Sequence, residues 1–252
     1  MVANSLLNGP ARYVPRGPWK PAYALLAVLV IQGGLQLVAG MIGTLAAARI
    51  AGVPLESLTQ EQMLSGVLVA LLAAQLCIIG ATWYAAGWFG GSRSEVLQAA
   101  GPRPSVSEVI VAVAGLLLIL GAYNALNYLL RPDRFWADMM QFLPMLRGPY
   151  WPLTGLGVGV GAPISEELLF RGFLLSALAQ WRFGFWPAAL VANAVWTGFH
   201  AGYSAAGLIE VFIGGAYFSW LLWRSGSIWL PILCHAANNV TFLVIVFFYL
   251  AR

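Results

Sequence analysis

The stretch SerGluGluLeuLeuPheArg, from Ser165 to Arg171, places two adjacent carboxylates and a guanidinium inside an apolar part of the chain. GlyAlaProIle leads into this stretch, and GlyPheLeuLeuSerAlaLeuAla follows it. Charged groups are costly in lipid, and ionisable residues in a membrane segment usually mark a functional site with partners nearby. The stretch therefore predicts a polar site inside a membrane.

The composition of the whole chain supports this prediction. Of 252 residues, 60% are hydrophobic and only 9% are charged, whereas a soluble domain carries roughly 25% charged residues. The net charge of +4 comes mainly from arginines that flank apolar runs. This pattern is typical of membrane topology signals and favours a lipid bilayer over nucleic acid as the surrounding partner. Trp181, Phe185 and Trp186 predict an aromatic belt at the membrane interface.

Seven apolar runs predict an all-α, polytopic transmembrane bundle of about seven spans (six to eight) with a polar site in the membrane interior. The runs cover 22–48, 66–89, 109–130, 152–179, 186–202, 205–223 and 228–250. The chain divides into a loose, polar and basic N-terminal arm at 1–20, three spans with an interfacial loop at 21–150, and a helical core at 151–252. The interfacial loop is the stretch 131–151, in which charged residues alternate with aromatic and apolar groups.

Both histidines and one asparagine fall at a depth similar to that of the charged stretch. The basic loops predict a cytoplasmic N-terminus, and a helix rises ~1.5 Å per residue. Counted from the cytoplasmic ends, Glu166 lies roughly 18 Å deep and His200 roughly 21 Å deep. By the same count His235 lies roughly 12 Å deep and Asn239 roughly 18 Å deep. All four fall in the middle layer of a hydrocarbon core about 30 Å thick.

Helical spacing assigns different tasks to the two glutamates. Glu167 and Arg171 are i and i+4, so they share a helix face and can pair. Glu166 points about 100° away from that face, and the pair does not neutralise its charge. This favours a structural role for Glu167 with Arg171, and the role of general base for Glu166.

Other polar residues of the apolar runs have three different expected roles. His235 and Asn239 are i and i+4 on one face, so both can point at one substrate atom. Asn193 either lines the site or bonds across helices. Glu210 lies near one end of the sixth span, which favours a solvated or snorkelling carboxylate over a site residue.

Several other chemistries lack their motifs in this sequence. There is no HExxH, GxSxG or P-loop. A membrane serine protease needs a nucleophile motif that is absent, and an aspartyl membrane protease needs two membrane aspartates. Asp133 and Asp138 are the only aspartates, and both lie in the 131–151 loop.

Three motifs resemble those of the CPBP family, also called the Abi or CAAX protease family. GluGluLeuLeuPheArg at 166–171 looks like its EExxxR motif. Its FxxxH motif is matched by Trp196 and His200, and its HxxxN motif by His235 and Asn239. Because the three motifs follow in order with suitable separation over about 150–240, the resemblance is specific.

The resemblance implies an intramembrane endopeptidase similar to the type II CAAX prenyl proteases, with 151–252 as its catalytic core. It implies that Glu166 and His200 activate a water, and that His235 and Asn239 stabilise the oxyanion. The implied substrate is a membrane-embedded or lipidated peptide or protein. The apolar and arginine-rich composition predicts a multi-pass protein of the bacterial inner (plasma) membrane, and a complex with another membrane protein stays open.

The same resemblance implies that Glu167 and Arg171 hold the site in shape. Trp196 stands where the family usually has phenylalanine. This change of bulk is expected to reshape the pocket without removing a reacting atom.

Metal dependence stays open at the level of sequence. Glu166, His200 and His235 could form a His₂Glu zinc set with an open fourth position. No carboxylate is evident behind either histidine, and Glu166 cannot easily serve as both ligand and base. The sequence therefore favours a metal-free mechanism driven by glutamate, with zinc as the alternative cofactor.

Two non-proteolytic functions stay open beside the endopeptidase. One is an immunity, accessory or scaffold protein that retains the same fold. The other is a small transporter in which Glu166 and Glu210 relay protons, although the chain lacks the internal repeat of many transporters.

Overall fold

A computed structural model describes residues 3–147, 149–180 and 184–250. Within these ranges the chain forms helices and turns and no β-strand, which confirms the all-α prediction. Seven long helical segments are named here in chain order. They are α1 (Pro21–Ala51), α2 (Gln60–Ala86), α3 (Val106–Leu130), α4 (151–179), α5 (Phe185–Gly198), α6 (Ala205–Ser225) and α7 (229–250).

Five of these helices, namely α1, α2, α3, α6 and α7, are long and apolar enough to cross a membrane. The other two correspond to the predicted spans at 152–179 and 186–202. Helix α4 carries the charged stretch, and α5 has only 14 residues. A helix of that length rises about 21 Å, less than the hydrocarbon core of about 30 Å.

Helix α5 is shorter than predicted. The sequence placed its end near residue 202, but the helix ends at Gly198 and the N–H of Phe199 closes the last turn on the carbonyls of Thr197 and Trp196. Glycine loses more conformational freedom in a helix than any other residue, so Gly198 and the nearby Gly202 favour a turn. His200 therefore lies in the turn after α5, not within a helix.

Helices α2 and α3 begin with side chains that satisfy their first backbone N–H groups. Thr59 and Gln62 form a capping box at the start of α2, and Ser105 and Glu108 form another at the start of α3. Each box satisfies two donors reciprocally. Both helices consequently start a few residues before their apolar runs.

A close approach of α1 and α2 depends on two glycines that face each other. A Cβ on Gly43 would lie 2.6 Å from the carbonyl oxygen of Gly66 and 2.7 Å from Cβ of Ala70. A Cβ on Gly66 would overlap the carbonyl oxygen of Gly43. Small residues let the backbones of membrane helices approach closely. The atoms in contact here are backbone and Cβ atoms, so no flexible side chain could make room for a larger residue.

The glycine-rich start of α4 likewise lets this helix approach α2 and α7 closely. The buried side chain of Gln75 on α2 donates to the carbonyl of Gly157 at 3.0 Å, and it occupies the space that a Cβ on Gly161 would need. Gly159 faces Val240 of α7. Helix α4 is continuous here and contains wide π-helical turns at Gly157–Gly161 and Glu167–Leu174.

The N-terminal arm is docked on the bundle, so the expectation of a loose arm is wrong. The backbone N–H groups of Arg12 and Tyr13 donate to the carbonyl of Trp223 at 3.1 and 3.3 Å. The N–H of Arg16 donates to the hydroxyl of Ser176 at 3.0 Å. Backbone groups that bond to the ends of α6 and α4 explain why a polar segment is ordered here.

Two of the three aromatic residues expected at the membrane interface lie within the described residues. Trp181 lies outside the residues that the structure describes. Phe185 and Trp186 begin α5 and contact each other edge to face at 5.2 Å. Phe185 also contacts Tyr13 of the N-terminal arm at 4.9 Å.

The 131–151 loop folds into short helices over one end of the bundle. They are Pro132–Phe135, Ala137–Met140 and Leu143–Arg147. Leu143 and Leu146 pack on Leu243 and Val246 of α7. Asp138 accepts hydrogen bonds from the N–H and hydroxyl of Ser204 at 2.8 and 2.5 Å, which ties this segment to the start of α6.

We predict that Gly66→Ala destabilises the protein by about 1–3 kcal/mol, because overpacking a tight contact forces the backbones apart. Gly80→Ala on the same helix is the matched control, since nothing lies within 4 Å of a Cβ at that position. Thermal unfolding in detergent measures both variants. Equal midpoints for the two variants would contradict the close α1–α2 contact.

Candidate active site

Glu167 is fully buried and holds two partners through one oxygen. Its Oε1 accepts a hydrogen bond from Nη1 of Arg171 at 3.2 Å and one from Nδ1 of His235 at 2.9 Å. The pair predicted from the i, i+4 spacing is therefore present. The expectation that neither histidine has a carboxylate behind it is wrong for His235, because α7 brings its ring against Glu167 from 68 residues away.

Arg171 extends this network to α5. Its Nη2 donates to Oδ1 of Asn193 at 3.2 Å, and the Asn193 amide donates to the carbonyl of Phe212 at 2.8 Å. Its guanidinium carbon lies 4.1 Å from the ring centre of Trp196. Asn193 is thus buried and bonds across helices; it is not among the residues that line the cavity described below.

Glu166 has surroundings different from those of its neighbour. It is partly exposed, and its Oε2 accepts a hydrogen bond from the indole Nε1 of Trp196 at 2.6 Å. Trp196 itself is buried, with 3% of its surface exposed. The replacement of the family's usual phenylalanine therefore adds a hydrogen-bond donor to the carboxylate, and the sequence expectation of a change in bulk alone missed this donor.

His200 is positioned by the same tryptophan. Its Nδ1 lies 3.0 Å from the carbonyl oxygen of Trp196, and the two rings meet edge to face at 4.9 Å. A carbonyl only accepts, so Nδ1 carries the proton in this contact. In the neutral ring Nε2 is then free to accept a hydrogen bond or a proton.

The residues of the third motif also lie together on α7. The ring of His235 stacks on Phe218 at 4.8 Å. The amide of Asn239 donates to the carbonyl of Val158 at 2.9 Å. An amide group carries two N–H bonds, so one remains for another acceptor.

Glu166, His200, His235 and Asn239 all line one cavity of about 220 Å³. A water molecule occupies about 30 Å³ in the liquid, so the cavity has room for a water and for part of a larger molecule. Among the described residues that line it, none is lysine or arginine. The further lining residues include Asn124, Asn127, Asp138, Trp196, Tyr203, Glu210, Phe218 and Asn238.

Sequence reasoning did not select Asn238, Tyr203, Asp138 or Phe218 for the site. Asn238 had a readable signal, because it is three residues after His235 and therefore near the same helix face. Tyr203 and Asp138 lie in connecting segments, where helical spacing gives no direction. Burial, together with nearby carboxylates that include Glu166, raises the pKa of Tyr203, so this phenol keeps its proton and can act as a donor at neutral pH.

Glu210 lies on the cavity wall. Its Oε1 accepts a hydrogen bond from the amide of Asn124 on α3 at 2.6 Å. The sequence favoured a solvated carboxylate at the membrane surface. The structure instead has a carboxylate that faces the cavity and links α6 to α3.

The chemistry of the donors suits zinc, but their placement does not. Two imidazoles and a carboxylate are ligands that zinc accepts. Within the described ranges, however, no three His, Cys, Asp or Glu side chains stand close enough together to hold a metal ion. The residues as placed do not fit a metal centre, and the metal-free mechanism stays a prediction.

Fold and site together define a polytopic helical membrane protein with a carboxylate and two imidazoles around an internal cavity. Residues 148–241 match the family model described as Type II CAAX prenyl endopeptidase Rce1-like. This match confirms the family resemblance indicated by the three motifs.

One curated relative and the solved structures complete the comparison. An uncharacterized 24.3 kDa protein of Escherichia coli is 34% identical over 85 residues, which are 33% of this chain and 39% of the relative. The chain thus spans about two fifths of that relative's length. No solved structure matches the chain.

We predict that Gly215→Ala disrupts the buried network and destabilises the protein by about 1–3 kcal/mol. A Cβ there would lie 2.5 Å from Nη2 of Arg171 and 2.7 Å from the Trp196 ring. The adjacent Gly214→Ala is the matched control, because a Cβ at Gly214 meets nothing within 4 Å. Thermal unfolding in detergent should separate the two variants, and a Gly215→Ala midpoint equal to wild type would contradict the tight packing.

Proposed function

We propose that the protein is an intramembrane endopeptidase that hydrolyses a peptide bond of a membrane-embedded or lipidated protein or peptide. The observation that carries this proposal is the convergence of Glu166, His200, His235 and Asn239 on one cavity. Five helices of the same chain are long and apolar enough to cross a membrane. The family match supports it. We propose the bacterial inner membrane as its location.

The first step is the attack of water on the scissile carbonyl. Glu166 accepts a proton from a water in the cavity, while Nε2 of His200 accepts a hydrogen bond from the same water. The water oxygen forms a bond to the carbonyl carbon, and the carbonyl electron pair moves to oxygen. A positioned carboxylate contributes typically 10²–10⁴-fold to such a step.

The oxyanion that forms needs donors aimed at it. The free N–H of Asn239 supplies one. Nε2 of His235 supplies a second when the ring carries both protons, because Nδ1 already donates to Glu167 at 2.9 Å.

The second step breaks the carbon–nitrogen bond. The oxyanion electron pair returns to carbon, and the amine leaves with the proton that Glu166 took from water. Glu166 is then ionised again, and the products are a carboxylic acid and an amine. The protein therefore needs no other reactant than water.

We predict that Glu166→Gln abolishes cleavage and leaves the fold intact, because glutamine keeps the shape but cannot accept the proton. The loss should be at least about 10²-fold. Comparative proteomics of membranes from cells that express either form measures it, by the peptides that depend on an active chain. Glu56→Gln is the matched control, since Glu56 is exposed in the loop before α2.

Two outcomes separate the proposal from its alternatives. Peptides present with wild type and Glu56→Gln but lost with Glu166→Gln support the endopeptidase. A phenotype that persists unchanged in Glu166→Gln, with a stoichiometric protein partner after purification, would favour an immunity or accessory protein instead.

We also predict that purified protein keeps its cleavage activity after treatment with a zinc chelator, because Glu166 acts on water directly. Elemental analysis should find well below one zinc per chain. One zinc per chain that disappears in His235→Ala, together with loss of activity on chelation, would overturn the metal-free mechanism and support the His₂Glu alternative.

A further inference from the structure

A second cavity adjoins the one that Glu166 and His235 line. Its volume is about 320 Å³, at the lower end of the range of about 300–1,000 Å³ that is typical of ligand sites. The short helix Leu143–Arg147 and the turn after α5 both contribute to its walls. We call it the side groove, and its walls include Phe142, Met145, Phe199, His200, Gly202 and Tyr203.

The side groove is continuous with the cavity that holds the candidate catalytic residues. Three of the described residues, namely Phe142, His200 and Tyr203, line both spaces. The ring centre of Tyr203 lies 5.6 Å from that of His200 and 6.4 Å from that of Phe142. His200 therefore borders both spaces, and a group in the side groove lies beside the proposed catalytic imidazole.

The two spaces differ in chemistry. The catalytic cavity has three carboxylates on its walls. Of the described residues that line the side groove, none is aspartate, glutamate, lysine or arginine. Its walls carry the rings of Phe142 and Phe199 and the thioether of Met145, and the amide of Gln141 donates to the carbonyl of Asp138 at 2.8 Å. A charged group in the side groove would lose water without gaining an ionic partner, which is costly.

We propose that the side groove is a specificity subsite of the endopeptidase proposed above, and that it takes a bulky apolar side chain of the substrate peptide. Residues of an extended chain lie about 3.3–3.6 Å apart. A residue whose side chain lies beside His200 is therefore close in sequence to the bond that is cut. Aromatic rings and a thioether make favourable contacts with an aromatic ring, so phenylalanine is expected to bind better than alanine.

Gly202 keeps the side groove open. A Cβ at Gly202 meets nothing within 4 Å, so a larger side chain has room to enter the groove without a clash at its base. Gly202→Trp is therefore expected to occupy the subsite. Gly198→Trp is the matched control, because a Cβ there also meets nothing within 4 Å and Gly198 is not among the residues that line the groove.

Two methionines report on the two spaces separately, since Met139 lines the catalytic cavity and Met145 lines the side groove. The experiment uses the full chain with Glu166→Gln in lipid nanodiscs, labelled with ¹³C at the methionine methyl groups. It is titrated with acetyl-Ala-Phe-Ala-amide and with acetyl-Ala-Ala-Ala-amide, which the inactive variant does not consume. Met145→Leu identifies the Met145 resonance, and Met41 on α1 serves as the distant reference.

We expect the phenylalanine peptide to move the Met145 resonance in a saturable way and to leave that of Met41 in place. Half-saturation should need at least about ten-fold less of it than of the alanine peptide, because a difference of one methylene in an apolar pocket already discriminates about 10–200-fold. Gly202→Trp in the same background should remove the Met145 response, and Gly198→Trp should keep it.

Equal half-saturation by the two peptides would overturn the proposal. So would a phenylalanine peptide that moves Met139 but leaves Met145 in place up to its solubility limit, as expected if lipid chains fill the groove. A Met145 response that survives in Gly202→Trp would also contradict it, and if that variant does not fold, the comparison of the two peptides decides. None of these readouts needs cleavage, so a failure here is distinct from a failure of Glu166→Gln to abolish proteolysis.

Discussion

A single carboxylate oxygen, Oε1 of Glu167, joins three parts of the bundle. It binds Arg171 on its own helix and His235 on α7, and Arg171 in turn binds Asn193 on α5. A buried charge that loses its partner costs about 3–5 kcal/mol, so any shift of these helices that separates the groups is strongly opposed. The other oxygen of Glu167 is buried without a hydrogen-bond partner in the described structure, a cost that the two bonds to Oε1 have to offset.

The network matters for the site because it orients groups that touch the cavity. Glu167 fixes the ring of His235 through Nδ1, which leaves Nε2 for the cavity. Arg171 fixes the plane of the Trp196 indole through its ring face, and that plane decides where the N–H points. Glu166 precedes Glu167 in the chain and lies about 100° away around the helix, so it faces the cavity while its neighbour faces the protein. The π-helical turn that begins at Glu167 is a feature found frequently at functional sites.

Local spacing predicted the parts of this arrangement that lie on one helix. The pairing of Glu167 with Arg171 and the shared face of His235 and Asn239 both follow from i, i+4 geometry, which does not depend on the rest of the fold. The contacts between helices were not predictable in this way. The bond between His235 and Glu167 depends on how α7 is rotated against α4, and that rotation is set by small residues such as Gly159 packing on Val240.

The orientation of Glu210 and the length of α5 illustrate the same limit. Hydropathy placed Glu210 near a membrane surface, but its direction depends on Asn124 of α3, a partner 86 residues away. Apolar character alone extended α5 to residue 202, whereas Gly198 and the following turn end the helix earlier. Burial in lipid makes most residues of a span apolar on every side, so the periodicity that locates the inner face of a soluble helix is weak here.

The early end of α5 explains how one residue can serve both Glu166 and His200. In a continuing α-helix the carbonyl of Trp196 would accept the backbone N–H of residue 200. In the structure that N–H turns to the carbonyl of Thr197 at 2.9 Å. The Trp196 carbonyl accepts the N–H of Phe199 at 3.1 Å and the Nδ1–H of His200 at 3.0 Å. The turn thus shortens the backbone bond to this carbonyl by one residue and lets the carbonyl also bind a side chain, while the indole of the same tryptophan reaches Glu166. A four-residue spacing that reads as a helical pair in the sequence is used here as a turn with a shared anchor.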